Sequence, residues 1–329
     1  MNKILHKLIH HEHLDRQSAR EALILIAEGK ANNSQMAAFI TVFLMRSITV
    51  DELSGFRDAM LDLCQKISVD TDCMDVCGTG GDGKNTFNIS TTSAFVIAGA
   101  GQKVVKHGNY GVSSICGSSN LLQALGYNFT NDENMLLKQL DKAGICFLHA
   151  PLFHPAMKAV APVRKELGMK TFFNMLGPLV NPGEPNKQLT GVFSNELARV
   201  YQYLLQQEGK QFGLVHSLDG YDEISLTSTF RLITYQGECT LHPEALPYGT
   251  IRDEDLSGGE TIEESKEIFI NVLYNRGTAA QMAVVKANAG AALMVAGIAE
   301  DLAEGIQKAD ESIASGRALQ AFELLINTQ

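Results

Sequence analysis

Three short polar segments carry the residue types that could do chemistry. The first, residues 77–91, reads CGTGGDGKNTFNIST: glycines that follow an apolar run and precede a helical pattern opened by Asn88 or Ser90. Bare backbone lets amide N–H groups approach an anion closely, and the first turn of a helix adds its own amides and dipole. Taken alone, the glycines are equally explained by a tight turn that needs positive φ. The second segment, residues 106–114, reads KHGNYGVSS; Lys106 offers a point charge for a phosphate, and Ser113, Ser114 and the later Ser118 offer hydroxyls. By itself it also reads as a polar loop around a buried His107. The third, residues 215–223, reads VHSLDGYDE. Adjacent Asp222 and Glu223 are hard oxygen ligands of the kind magnesium takes, through one or two carboxylates plus substrate phosphates. In isolation that pair is an ordinary solvated acidic loop.

Two nucleotide-binding readings of the glycine loop fail on context. Gly78, Gly80 and Gly83 satisfy GxGxxG, but a dinucleotide site wants an acidic residue about 20 positions on, and no Asp or Glu lies between Asp82 and Asp132. The stretch from Gly78 to Lys84 nearly satisfies GxxxxGK[ST], yet Asn85 stands where a hydroxyl should meet magnesium.

The elements that must position these loops can be read around them. Residues 1–68 have the texture of a helical N-terminal domain. Asp15 can cap a helix to Glu28, Asn33 or Ser34 opens the next, and Thr49 with Glu52 has capping-box spacing ahead of Leu53, Phe56 and Met60. Residues 69–329 read as a larger α/β domain with a central, mostly parallel sheet flanked by helices. Short apolar runs at residues 74–77, 103–106, 145–149, 189–193 and 212–216 alternate with helical patterns. The segment near residues 160–185 is a candidate to pack on the helical domain, and 177–185 reads as a loop inside the larger one. Late helices are expected over 278–299 and 312–326. The first two polar loops follow successive strands of a βαβ unit, so they return to one edge of the sheet, the usual place for a ligand.

Composition narrows the class of function. The chain has 329 residues, 45% of them hydrophobic, which is enough for a sizeable core. A net charge of -10 argues against coating a polyanion, so no nucleic-acid partner is expected. Six cysteines with no CxxC pair suit free thiols in a reducing compartment. Neither a signal core nor a run of membrane-spanning length is evident, so a cytoplasmic protein with no membrane partner is expected. His10, His11 and His13 could suggest a metal tuft, but among polar neighbours they read as solvated side chains.

Taken together, GTGGD, NIST, KHGN, HPAMKAVAPVR (residues 154–164), FNMLGPLVNP (residues 173–182) and the DE pair resemble, in order and spacing, the anthranilate phosphoribosyltransferase family. The resemblance covers nearly the whole chain. It implies a small helical domain, a larger α/β domain, an active site in the cleft between them, and a homodimer. It also implies that Gly78, Gly81, Asp82, Thr86, Asn88, Ile89, Ser90 and Thr91 cradle phosphoribosyl pyrophosphate. Lys106, His107, Gly108, Asn109, Tyr110, Gly111, Val112, Ser113, Ser114 and Ser118 would help them. Ser90, Asp222 and Glu223 would hold Mg2+, as two ions. Gly78, Asn109 and Arg164 would line the anthranilate site, with Arg164 gripping the carboxylate and His107 orienting its loop or assisting proton removal. Tyr110 departs from the Arg that many members carry, and Ile115 with Cys116 from a Lys-Ser pair. The rivals are a pyrimidine nucleoside phosphorylase and a nucleic-acid-binding relative without the activity.

Overall fold

Capping chemistry starts the N-terminal helices. Asp15 accepts the Ser18 N–H at 2.7 Å, and Thr49 and Glu52 cap one another reciprocally. Asn32, one residue ahead of the expected start, does the same with Gln35. The computed structural model describes residues 1–69, 72–111 and 114–329.

Its helices run α1 (Asn2–Ile9), α2 (Arg16–Ala27), α3 (Asn33–Met45), α4 (Val50–Leu63), α5 (Ile89–Gly99), α6 (Ser118–Ala124) and α7 (Glu133–Ala143). They continue as α8 (Ala150–Phe153), α9 (Met157–Leu167), α10 (Phe173–Leu176), α11 (Asn195–Gln207), α12 (Ile262–Leu273), α13 (Ala279–Val295), α14 (Leu302–Ala314) and α15 (Arg317–Asn327). The strands are β1 (Met74–Gly78), β2 (Val104–Gly108), β3 (Ile145–His149), β4 (Lys187–Gly191), β5 (Gln211–Ser217), β6 (Phe230–Thr234) and β7 (Glu238–Leu241).

Two compact units result. One contains Met1–Ile67 with Ala150–Pro182, the other Ser68–His149 with Gly183–Gln329. In the first, α2 packs on α4, and both α2 and α3 pack on α9. Its centre is aromatic: Phe56 stacks on Phe172 at 4.6 Å, while Phe39 and Phe43 meet them edge-on. Residues 177–185 open with a 3-10 turn, and as far as Pro182 they belong to this unit. The sequence texture around them suggested a loop of the larger one.

The second unit holds a seven-stranded sheet in the order β3-β2-β1-β4-β5-β6-β7. All five expected strands are present and pair in parallel. β6 and β7, which the sequence reading lacked, extend the sheet antiparallel from β5. A core of Val, Ile, Leu, Phe and Ala side chains forms against α5, α13 and α15. The single C-terminal helix expected over 312–326 is two helices, because Gly316 at φ 78° breaks the pattern between α14 and α15.

Candidate functional site

The sheet order fixes where a ligand can sit. From β1 the chain crosses to β2 on one side, and it later returns to β4 on the other, so β1 and β4 flank a topological switch point. At their carboxyl ends Gly78 and Gly191 are paired. Both glycines are required sterically: a Cβ on Gly78 would strike the Asp222 carboxylate, and one on Gly191 the Asp222 backbone carbonyl. The acidic loop after β5 thus seats the Asp222 carboxylate on bare backbone at the switch point.

Asp222 is only 6% exposed. Its Oδ2 accepts the Gly80 N–H at 2.7 Å, which ties the acidic loop to the glycine loop. Burial, then the neighbouring Asp82 charge, pushes its pKa up to about 7. Glu223 is half-buried and accepts from the Ser90 N–H in the first turn of α5. Burial and the Asp222 charge raise it well above the usual carboxylate range, while Lys106 pulls it back. Such crowding disfavours ionisation unless a cation arrives. Asp222, Glu223 and Ser90, expected to share a metal, are therefore brought together. Two further side chains there have polar atoms buried without a hydrogen-bond partner, Thr79 Oγ1 and Asn88 Oδ1.

The other expected donor-site residues divide by what they touch. Asp82 accepts the Lys84 N–H at 3.0 Å, and Gly80 and Gly81 adopt the positive φ that turns the loop. Thr86 makes a bridge to Ser257. Ile89 and Thr91 point into the core, each 1% exposed. Lys106 is not an outward-reaching charge: it is 2% exposed, and its Nζ donates to the Val76 carbonyl at 2.5 Å. It acts as a fixed positive charge beside the carboxylates. The buried His107 donates its backbone N–H to Asp75.

The loop after Gly108 closes on the start of α6. The Asn109 carbonyl accepts from Ser119 N–H and Ser118 Oγ, the Asn109 side chain accepts from Tyr110 N–H, and Asn120 accepts from both Gly111 and Gly117. Asn88 Nδ2 donates to the Cys116 carbonyl at 2.8 Å, joining this loop to the start of α5. Tyr110 lies edge-on to His149 at 4.9 Å. Ser114 is half-buried; Val112 and Ser113 lie outside the described residues.

Arg164 belongs to the first unit, on α9. Its Nη2 reaches Asn174 Oδ1 at 3.3 Å, and its guanidinium lies 5.3 Å from the Phe173 ring. Its Nε is buried without a partner, and burial lowers its pKa. Gly78 and Asn109 lie in the second unit.

The sequence reading missed the residues that hold the acidic loop in place. Asn288 on α13, 1% exposed, accepts the Ile224 N–H and donates to the Ile224 carbonyl. Ser217 Oγ donates to the Glu223 carbonyl at 2.7 Å. A lone Asn in the run KANAGAAL was the available signal, since a buried amide among alanines needs partners.

A glycine loop, a helix start and paired carboxylates meeting at one switch point suit a group-transfer enzyme. Comparison agrees: residues 70–319 match the glycosyl transferase family, a/b domain, and residues 2–64 its helical bundle domain. The chain is 55% identical over 327 residues to the anthranilate phosphoribosyltransferase of Flavobacterium johnsoniae, covering 99% of this chain and 98% of that one. With that of Cytophaga hutchinsonii it shares 52% identity, covering 98% and 99%. The Thermus thermophilus crystal structure superposes with TM-score 0.92 at 33% identity, covering 99% and 98% of the two chains. The Saccharomyces cerevisiae structure in complex with PRPP and Mg gives 0.91 at 27%, covering 99% and 96%. The chain belongs to the anthranilate phosphoribosyltransferase family.

Proposed function

We propose that this chain transfers the phosphoribosyl group of 5-phosphoribosyl 1-pyrophosphate to the amine of anthranilate, releasing pyrophosphate, in tryptophan biosynthesis. The observation that carries the reading is the convergence of Asp222, Glu223, the glycine loop and the start of α5 at the carboxyl ends of β1 and β4. Relatives of high identity along the whole chain have this activity in their names, and a neighbour of the same fold was solved with PRPP and Mg.

Displacement at the anomeric carbon builds positive charge on the ribose and negative charge on the departing diphosphate. The amides of the glycine loop and of the first turn of α5, other than those of Gly80 and Ser90 that the carboxylates hold, would receive those phosphates. Asp222, Glu223 and Ser90 would hold Mg2+, two ions in this reading, because two crowded carboxylates that raise one another's pKa suit a divalent cation. When bound, Mg2+ supplies charge neutralisation for the leaving group. Lys106, held on the Val76 carbonyl, offsets part of the Glu223 charge. Arg164 recognises the anthranilate carboxylate, with Asn174 and Phe173 fixing its direction, and His107 orients the loop that carries Asn109. A homodimer and a cytoplasmic location complete the reading; among the described residues no helix is long and apolar enough to cross a membrane. A nucleoside phosphorylase or a nucleic-acid-binding relative is not favoured, given the names of these relatives and the retained carboxylate pair.

The deciding assay follows anthranilate fluorescence. Loss of signal on adding the donor with magnesium, abolished by a chelator, is expected, and an unchanged signal with all components present would end the proposal. Arg164→Ala should raise the KM for anthranilate far more than that for the donor. Equal effects would remove Arg164 from the acceptor site.

A further inference from the structure

The histidines near the N-terminus include a close pair on one helix. Sequence inspection draws the eye to His10, His11 and His13, but the structure pairs His10 with His6, one helical turn back. The two residues are four apart at the C-terminal end of α1, so their side chains share one face of the helix. Their Nε2 atoms lie 3.3 Å apart, where one ring N–H donates to the other ring nitrogen and a cation would replace that proton, and both side chains are exposed. The rings are 4.4 Å apart and inclined at 58°, so they are not stacked flat upon each other. Backbone bonds hold the end of the helix, with the His10 N–H donating to the carbonyls of His6 and Lys7.

That separation is informative. A tetrahedral cation with metal–nitrogen bonds of about 2.0–2.1 Å needs its two nitrogens about 3.3–3.4 Å apart. We propose that His6 and His10 form a two-nitrogen chelate for a divalent cation of the zinc, nickel or copper type, which imidazole prefers over magnesium. Among the described residues no group of three or more His, Cys, Asp and Glu gathers into a metal site, so water completes the coordination and the cation stays exchangeable. Its effect is to clamp the last turn of α1, which packs on α3. Mass action then makes the stability of that end of the chain depend on the free cation.

Equilibrium dialysis against zinc chloride, with excess magnesium present to occupy the carboxylate pair, tests the chelate on the full chain. The unmodified protein should bind a zinc ion that His6→Ala and His10→Ala each weaken by at least about tenfold, since losing a ligand costs no less than losing its support. His11→Ala, at an exposed neighbour outside the pair, should bind as the parent does. Zinc should also raise the melting temperature of the parent and of His11→Ala, and leave that of His10→Ala unmoved. All three residues are exposed, so each variant should fold, and far-ultraviolet circular dichroism checks it. Equal zinc binding by the parent, His6→Ala and His10→Ala would overturn the proposal, as would no binding by any of them.

Discussion

Two of the protein's acidic sites, one in each unit, are treated in opposite ways. In the helical unit Glu52 is fully buried, yet it accepts from the N–H groups of Leu14 and Thr49, the Thr49 hydroxyl and the Arg46 guanidinium. Burial alone would raise its pKa, but these donors outweigh burial and the net shift is downward. In the α/β unit Asp222 and Glu223 face each other's charge, with Asp82 close by, and both are raised. A carboxylate with a structural task is fully satisfied within the fold. The pair proposed to hold a cation is left short of positive charge, so that a ligand would supply what the protein withholds.

Substitution should separate the two most sharply. Asp222→Asn is expected to lower turnover by about 10²–10³-fold, the scale of losing one electrostatic contact to a developing charge, while the melting temperature without magnesium holds or rises. A wild-type rate in steady-state assays would erase the contrast. Glu52→Ala should do the reverse: lose about 3 kcal/mol of stability in urea unfolding, because Arg46 is left half-buried without its partner, yet retain kcat at a temperature where it is folded. A third, smaller difference is in pH. A carboxylate with a lowered folded pKa contributes stability above its unfolded value of 4.5 and loses it as pH falls through the folded value, so Glu52 should weaken the protein only in acid. A raised one works oppositely. Without metal, Asp222 should cost stability as pH climbs from 3.8 toward about 7. Magnesium requires the ionised pair, so the thermal shift it produces should be larger at pH 8 than at pH 6; equal shifts would show that the carboxylates are already ionised at the lower pH. The smallest effect is expected at Tyr110→Phe. The hydroxyl makes one long contact, 3.3 Å to Gln123 on the exposed side, and the ring keeps its packing on His149, so kcat/KM should stay within about threefold, under 1 kcal/mol.

Much of this contrast was legible in the residues. The parallel strands showed because apolar runs end in glycine or a polar loop, and the two chemical loops showed because glycine, lysine and paired acids cluster where few other roles need them. Glu52 was visible only as half of a capping box with Thr49; its burial beneath Arg46 depends on how α3 meets α4. β7 was illegible because its sequence, ECTL, is largely exposed and has no buried face to set a pattern. Lys106 reads as a solvent-seeking charge in any sequence, and only the sheet shows it turned inward on the Val76 carbonyl. The His6–His10 pair escaped because a lone histidine one helical turn ahead of the conspicuous HHEH run gives no local signal of its own.

Gly191 has no side chain to offer a substrate, yet the chain can least afford to enlarge it. An added methyl there would collide with the Asp222 main chain rather than with a side chain able to rotate aside. A laboratory library that diversifies the visible pocket while treating strand ends as inert scaffold would discard function at a position bearing no reactive group. The freedom to redesign what this enzyme accepts therefore ends at the backbone of its fourth strand.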